Sequence, residues 1–261
     1  MTDITLDPRV QAAAEAHPYP LVFATVSGAH LYGFASADSD VDLRGAHVTP
    51  LEEVVGLDPV PETVERSYLE GGLEIDLVTH DIRKFASLLL KRNGYVLEQL
   101  LSPLVVTSTP RFEELRSFAP GCVTRHHAHH YLGFAATQWE LFAKDKPPRI
   151  KPLLYLYRVL LTGIHLMATG ETEANLEHLL ERRRDLGDVR ELLGAKRMGS
   201  ERATLADVDL DRHSQRYLAL RAELERAYET SRLPDRPTAR RDVDQLVIGT
   251  RLELGHAKVA P

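Results

Sequence analysis

The sequence predicts an α+β fold, with a small β-sheet in the first third of the 261-residue chain and a largely helical remainder. Two observations predict it. Apolar, β-branched runs with strand-like alternation are confined to residues 19–79, and such alternation is typical of half-buried strands. After Thr79 the pattern changes, and helical segments follow one another along the rest of the chain. The length suits one large domain or two smaller ones.

The first elements follow from local composition. A run of apolar and β-branched residues ends at Ser27-Gly28, where a strand meets a turn, and a stretch rich in Gly, Ala and Ser comes next. In order, the expected elements are a short helix (8–17), a strand (19–26), a loop or short helical turn (28–38) and a second strand (39–48).

The best hairpin of the chain is predicted over residues 63–79. Two strand-like arms flank Gly71-Gly72, and glycines accept the positive φ that a tight hairpin turn needs. In the second arm Asp76 lies on the partly polar face, opposite the apolar side chains of its neighbours. A carboxylate in mid-strand is unusual unless something binds it.

Asp81 predicts the N-cap of a helix that runs to about Lys91. The dipeptide Pro147-Pro148 separates two of the longer helices, because proline cannot continue the helical hydrogen bonds. The remaining helices are expected near 94–101, 110–117, 122–144, 152–169, 174–184, 186–196, 212–230 and 239–254.

Charge is distributed unevenly along the chain. Residues 1–80 hold 3 Lys and Arg against 14 Asp and Glu, whereas residues 81–261 hold 29 against 24. An acidic first part joined to a basic second part suits a carboxylate metal site beside a surface that binds polyanions, although solvated faces give the same counts. With one cysteine, Cys122, and no visible signal peptide or membrane span, we expect a cytoplasmic protein.

The residues that indicate chemistry lie between the first two strands. Asp40 and Asp42 are two apart on a predicted strand, so their side chains share a face, and such close carboxylates call for a cation. Mg²⁺ prefers oxygen ligands. Asp76 from a neighbouring strand would complete a site for two metal ions about 3.5–4 Å apart, the spacing used for phosphoryl displacement. The glycines at 28 and 33 could form a turn whose backbone N–H groups bind phosphate.

These residues resemble a known signature. Gly28-Ala29, ten further residues and Asp40-Val41-Asp42, with a third Asp on a later strand, is similar to the pattern of the DNA polymerase β superfamily of nucleotidyltransferases. With Tyr32-Gly33 and the segments 39–45, 91–100 and 151–158, the chain resembles the predicted nucleotidyltransferases associated with bacterial RNA repair. The resemblance is strong over residues 20–102 and looser to about 170.

The resemblance implies a small mixed-sheet, polymerase β-like palm domain over residues 1–105 and a helical domain over 106–261 that completes the cleft. It implies that Mg²⁺ or Mn²⁺ in a two-metal site binds Asp40, Asp42 and Asp76, with Asp76 helping to deprotonate the acceptor hydroxyl. Where the family usually has Ser after the first glycine, this chain has Ala29, which keeps the backbone N–H and lacks the hydroxyl. The residues expected to bind the nucleotide are Gly28, Ala29, His30, Tyr32, Gly33, Ser39, Arg44, Lys151, Tyr155 and Arg158.

Several of these residues have a second interpretation. Arg44 could contact phosphate or form a salt bridge to a nearby acid. Lys151, Tyr155 and Arg158 share one helix face, which fits triphosphate and base contacts and equally fits the polar edge of a buried leucine stripe. His126 and His130 have a spacing that zinc can use, but the surrounding pattern favours a helix surface. The arginines at 182–184, 190, 197, 202, 212 and 216 suit either RNA binding or solvated helices.

The leading hypothesis is therefore an EC 2.7.7-type enzyme that transfers a nucleoside monophosphate from an NTP to a hydroxyl on RNA and releases pyrophosphate. One alternative is transfer of AMP to a protein, as antitoxin-like relatives do. Another is a nucleotide-binding sensor that has lost turnover, which the alanine at position 29 would support.

Overall fold

The structure, a computed structural model, describes residues 3–200, 204–205 and 209–255. The chain forms two compact units. The first comprises residues 1–28, 40–122 and 236–261, and the second comprises residues 29–39 and 123–235. The boundary expected at residue 105 divides the chain differently, because residues 106–122 and the last helix belong to the first unit.

The first unit is built on a mixed five-stranded sheet. A small mixed sheet is what the resemblance implied, and the fifth strand was not predicted. The strands lie in the order β3-β4-β2-β1-β5, with β2 and β4 parallel and the other neighbours antiparallel. Their bounds are β1 (Leu21–Val26), β2 (Val41–His47), β3 (Thr63–Glu70), β4 (Leu73–Asp81) and β5 (Val105–Ser108).

One face of the sheet packs against the first helix. Because side chains alternate along a strand, Val41 and Leu43 of β2 and Ile75 and Leu77 of β4 point to the same side. They form a buried cluster with the helix residue Val10. The polar residues between them, Asp42 and Asp76 included, must therefore lie on the other side of the sheet.

The other face is covered by helices that follow the hairpin. Phe23 of β1 stacks on Phe112 with ring centroids 4.7 Å apart and meets Phe85 edge-on at 5.2 Å. Thr25 donates a 2.9 Å hydrogen bond to the carbonyl oxygen of Gln99. The helices of this unit are α1 (Pro8–Glu15), α3 (Leu51–Val55), α4 (Ile82–Leu89), α5 (Gly94–Leu101), α6 (Pro110–Ser117), α7 (Ala119–Cys122) and α13 (Arg240–Leu254), with α2 (Gly28–Leu31) crossing into the second unit.

A buried ion pair joins α13 to the end of β4. Asp81 caps α4 by accepting a 3.0 Å hydrogen bond from Arg83 N, and it also accepts one of 3.1 Å from Thr49 N. Its carboxylate pairs with Arg251, whose guanidinium also donates to the Thr49 carbonyl oxygen at 2.9 Å. This pair connects positions that are 170 residues apart in the sequence.

The second unit is a helical bundle centred on one long apolar helix. Gly163 of the central helix permits close approach, because a Cβ there would lie 2.9 Å from Leu224 and 3.0 Å from Tyr131. Its helices are α8 (His127–Lys144), the central α9 (Ile150–Thr169), α10 (Leu176–Glu181), α11 (Gly187–Met198) and α12 (Leu210–Thr230). Within the described part of the chain, none of the helices is both long and apolar enough to cross a membrane.

Most element positions match the sequence expectations to within a few residues, but among the helices and strands described above some short ones were not predicted. These are α3, β5 and α7, each of four or five residues. Such short segments carry too few residues for a periodic pattern. β5 exists because it pairs with the edge of β1.

A buried histidine at the start of α8 should make this unit sensitive to acid. Burial lowers the pKa of His127 from 6.5 to about 4, partly offset by its contact with Thr124. Between these values the unfolded chain binds a proton that the folded chain does not, so stability falls as pH falls. We expect this residue to contribute a slope of about 1.4 kcal/mol per pH unit in that window.

The measurement is urea unfolding followed by the fluorescence of Trp139, which lies in the same helix. In His127→Gln, the slope of the unfolding free energy against pH between pH 6.5 and 4.5 should be smaller by about 1.4 kcal/mol per pH unit, which corresponds to one bound proton. An unchanged slope in His127→Gln would contradict the assignment.

Candidate active site

Two of the expected carboxylates face each other across the parallel strands. Asp42 of β2 and Asp76 of β4 are direct register partners. Each lies between buried apolar residues and is itself partly exposed, as the alternation predicts. Neighbouring strands are about 4.8 Å apart, so one bound cation could contact both side chains.

The third expected carboxylate lies just before the start of β2. Asp40 immediately precedes Val41, the first residue of the strand, and is partly buried. Among the residues that the structure describes, no group of three or more His, Cys, Asp or Glu side chains is gathered closely enough to hold a metal ion. The fold thus pairs Asp42 with Asp76 and leaves Asp40 at the end of the same strand.

Arg44 neutralises part of this charge. Its guanidinium forms an ion pair with Asp42 and donates to the backbone carbonyl oxygen of Asp76. Its Nε donates a 3.0 Å hydrogen bond to the hydroxyl of Tyr95 on α5. Burial alone would lower the pKa of Arg44, but Tyr95 and Asp42 raise it above its ordinary value, so it stays charged. The salt bridge that the sequence left as one alternative is therefore present.

Asp76 has a partner from the other arm of the hairpin. Ser67 is its register partner on β3 and donates a 2.7 Å hydrogen bond to Asp76 Oδ1. Gly71 and Gly72 form the turn with φ of 54° and 78°. Counting outward from this two-residue turn places Ser67 opposite Asp76, so the contact could have been found from the sequence.

Gly28 is required by the carboxylate as well as by the turn. Its φ is +61°, and a Cβ at this position would lie 2.8 Å from Asp42 Cγ and closer still to Oδ2. Backbone N–H of Ser27 donates a 2.8 Å hydrogen bond to the Asp42 carbonyl oxygen. The glycine that the sequence assigned to phosphate binding thus also leaves room for Asp42.

The donor set fits a hard divalent cation in its chemistry. Two carboxylates in register on a partly exposed face, with a third at the start of the same strand, supply the oxygen ligands that Mg²⁺ and Mn²⁺ prefer. The buried hydroxyl of Ser27 has no hydrogen-bond partner among the described residues, which indicates a polar position not yet satisfied by the protein itself.

The remaining expected nucleotide-binding residues lie in the second unit. The side chain of Ala29 is buried, and its carbonyl oxygen accepts a 3.0 Å hydrogen bond from Phe34 N. His30 is half-buried on α2. Gly33 has φ +80°, and a Cβ there would lie 2.9 Å from Asn175 Cγ. Ser39 is buried and accepts a 3.0 Å hydrogen bond from Ser36 N.

The face of α9 that carries Lys151, Tyr155 and Arg158 contacts the segment of residues 29–39. The guanidinium of Arg158 is buried and lies 3.9 Å from the ring centroid of Tyr32. Tyr155 meets Tyr32 edge-on, with centroids 5.5 Å apart, and Lys151 Nζ lies 6.0 Å above the Tyr155 ring. These three side chains share a cation–aromatic cluster with Tyr32, as one face of a helix requires.

Two basic side chains of α11 also contact the segment of residues 29–39. Neither of them was assigned to this segment from the sequence. Lys196 is fully buried and donates a 2.8 Å hydrogen bond to Ser36 Oγ. Arg197 Nε donates one of 2.7 Å to the Gly33 carbonyl oxygen. Nothing in the helical pattern of α11 distinguishes a buried lysine from an exposed one, so this contact had no sequence signal.

The histidine cluster divides between different neighbours. His126 contacts the Tyr228 hydroxyl at 3.4 Å and Asp235 at 3.5 Å. His130 stacks on Phe134, and burial together with Arg158 lowers its pKa to about 4. Within the described ranges the two histidines are not part of a metal-holding group.

Several of the arginines considered for RNA binding form ion pairs. Arg183 contacts Asp185 and Glu223, Arg197 contacts Glu177, and Arg212 and Arg216 both contact Asp188. These pairs favour the solvated-helix interpretation for those positions. Arg202 lies outside the described residues.

With this geometry in place, comparison with known proteins decides the family. The sequence model of RlaP, the RNA repair pathway DNA polymerase beta family, matches residues 3–249. The chain belongs to this family. Membership confirms the resemblance that the sequence analysis based on the glycine turn and the three aspartates.

Two curated relatives of this RlaP-family chain are similar over part of their length. The uncharacterized protein MJ0002 of Methanocaldococcus jannaschii is 31% identical over 154 residues, which is 59% of this chain and 63% of the relative. YcgL of Bacillus subtilis is 26% identical over 194 residues, covering 65% of this chain and 72% of the relative. The chain thus spans somewhat less than two thirds of the first relative.

A solved structure is similar at a lower level. The nucleotidyltransferase-like protein from Exiguobacterium sibiricum 255-15 aligns with 85% of this chain and 73% of its own, with 14% identity and a TM-score of 0.33.

Proposed function

We propose that this RlaP-family protein transfers a nucleoside monophosphate from an NTP to a hydroxyl group on RNA, with release of pyrophosphate. The observation that supports the proposal best is the register of Asp42 and Asp76 on adjacent parallel strands, with Gly28 making room for Asp42. Two carboxylates held in fixed register suit catalysis by positioning and charge neutralisation.

The proposed roles follow the chemistry of each group. Asp40, Asp42 and Asp76 would hold Mg²⁺ or Mn²⁺, which when bound offsets the negative charge of the phosphates. The Asp76 carboxylate takes the proton of the acceptor hydroxyl. The acceptor oxygen then bonds to the α-phosphorus, while the bond from that phosphorus to the bridging oxygen breaks and its electron pair leaves with pyrophosphate.

Binding of the triphosphate is assigned to the glycine-containing segment that precedes Asp40. Its backbone N–H groups are suitable donors to phosphate oxygens. Arg44 stays charged and partly exposed beside Asp42, so it can hold that carboxylate in place before the substrate binds. The assignments of Lys151, Tyr155 and Arg158 to nucleotide contacts remain part of the proposal.

RNA is the proposed acceptor because the description of the family names an RNA repair pathway. The excess of Lys and Arg over residues 81–261 supports a polyanionic acceptor, since basic surfaces attract nucleic acid. Transfer to a protein remains an outcome that the experiment below can reveal.

The test is transfer of label from each α-labelled NTP, with Mg²⁺ or Mn²⁺, to total RNA. The unaltered chain should label RNA, and Asp40→Ala/Asp42→Ala should not. Glu74→Gln is the control for loss of a nearby carboxylate, because Glu74 lies exposed on β4 two residues before Asp76. Circular dichroism should show that all three chains are folded.

The outcomes separate the candidate functions. Label on RNA that is lost in the double variant supports the proposal and names the base. Label on protein would replace RNA as the acceptor. Nucleotide binding without transfer to any acceptor would contradict the catalytic proposal and favour a sensor.

A further inference from the structure

We propose that Ser27 is a positioning residue for the Asp42 carboxylate, a role that rests on the proposed function. Ser27 follows the last residue of β1. Val26 pairs with Leu43, and the next backbone hydrogen bond, 2.8 Å from Ser27 N to the Asp42 carbonyl oxygen, continues the same antiparallel register. Ser27 therefore stands opposite Asp42.

The alternation of the strands gives the face on which Ser27 lies. Val26 and Leu43 both belong to the buried cluster that packs against α1. The next residues along, Ser27 and Asp42, consequently point to the opposite face. Four polar residues therefore lie side by side across neighbouring strands, and we call them the polar row: Ser27, Asp42, Asp76 and Ser67.

The two ends of the polar row differ in one respect. At one end Ser67 donates its hydroxyl to Asp76 at 2.7 Å. At the other end the hydroxyl of Ser27 is fully buried and has no partner within the described part of the chain. A buried hydroxyl without a partner destabilises a fold, so its presence calls for an explanation.

Arg44 provides the explanation. It draws one oxygen of Asp42 to itself, while the other oxygen lies beside Gly28, the residue next to Ser27. When Asp42 turns from Arg44 to bind a divalent cation, Ser27 is the adjacent donor for the carboxylate oxygen that the cation does not use. Ser27 would then do for Asp42 what Ser67 already does for Asp76.

This role predicts that stability and function respond in opposite directions. Ser27→Ala removes an unsatisfied hydroxyl, so the melting temperature should stay equal or rise. The affinity of the nucleotide-free chain for Mn²⁺ should fall about tenfold, the scale for losing one hydrogen bond to a charged group. The turnover number should fall by a similar factor, while the Michaelis constant for the NTP stays unchanged.

The control is Thr250→Val, which removes another fully buried hydroxyl that has no partner among the described residues. It should match Ser27→Ala in melting temperature and leave Mn²⁺ affinity and transfer as they were. Ser27→Cys retains a weak donor of similar size and should lie between the alanine variant and the unaltered chain.

The measurements are Mn²⁺ titration calorimetry, thermal unfolding and steady-state transfer. Unchanged Mn²⁺ affinity and turnover in Ser27→Ala, with normal transfer by the unaltered chain, would overturn the role of Ser27 alone. A melting temperature that falls sharply in Ser27→Ala and not in Thr250→Val would also overturn it, because the hydroxyl would then be structural. An unaltered chain that neither binds Mn²⁺ nor transfers label would remove the proposed function itself.

Discussion

Replacing Asp76 by asparagine is expected to lower the turnover number of nucleotide transfer about a thousandfold, the scale for losing one group that acts on charge in the transition state. Asparagine keeps the shape of the side chain and can still accept the hydrogen bond from Ser67. The loss would therefore come from the missing negative charge and the missing base. Thermal unfolding should change little, because no packing is altered.

The control for this variant is Glu74→Gln, which makes the same change in charge on the same strand. It should leave transfer within about twofold of the unaltered chain, as expected for a surface substitution. Asp76→Asn that retained a tenth or more of the turnover would show that Asp76 is neither the base nor an essential ligand. The proposed chemistry would then need another carboxylate.

Gly28→Ala is also expected to lower the rate of transfer strongly, but for a different reason from Asp76→Asn. Alanine at φ +61° costs about 1 kcal/mol on its own, since a Cβ disfavours the left-handed region. The added Cβ would also collide with the side chain of Asp42, which must move away from the face it shares with Asp76. A displacement of this kind should cost a hundredfold or more in rate, because positioning dominates such catalysis.

Gly72→Ala separates the two effects. Gly72 also has positive φ, at +78°, but a Cβ there would meet nothing within 4 Å. Both variants should lose a similar backbone contribution to stability, measurable by urea unfolding, and only Gly28→Ala should lose transfer. Equal activity in the two variants would show that Asp42 tolerates displacement or does not take part.

Local patterns were sufficient for the elements that carry the site. The alternation in β4 and the Gly71-Gly72 turn placed Asp76 on the partly polar face of a hairpin arm, and the structure agrees. The spacing of Asp40 and Asp42 predicted one face of one strand, whereas β2 begins at Val41 and contains only Asp42. The direct pairing of β2 with β4 is a matter of sheet order, which the resemblance implied and local sequence does not determine.

Contacts between distant parts of the chain were beyond reach of the sequence. Arg251 of α13 pairs with Asp81, and although the local pattern predicts Asp81 as an N-cap, it does not indicate Arg251 as its partner. The burial of Lys196 likewise depends on the Gly33–Ser36 segment, more than 150 residues away. For Arg44 the sequence allowed either a phosphate contact or a salt bridge to a nearby acid, and the structure identified Asp42 as that acid.

The position of α13 has a consequence for the order in which the chain can fold during synthesis. A ribosome makes all of residues 123–235 before it makes Arg251, so Asp81 remains without its buried partner until those residues have been made. Contacts that span so many residues form slowly, because a long loop must close first. The unit that holds the carboxylates is therefore begun first and completed last, and a nascent chain cannot assemble its final first unit before the second unit has been fully made.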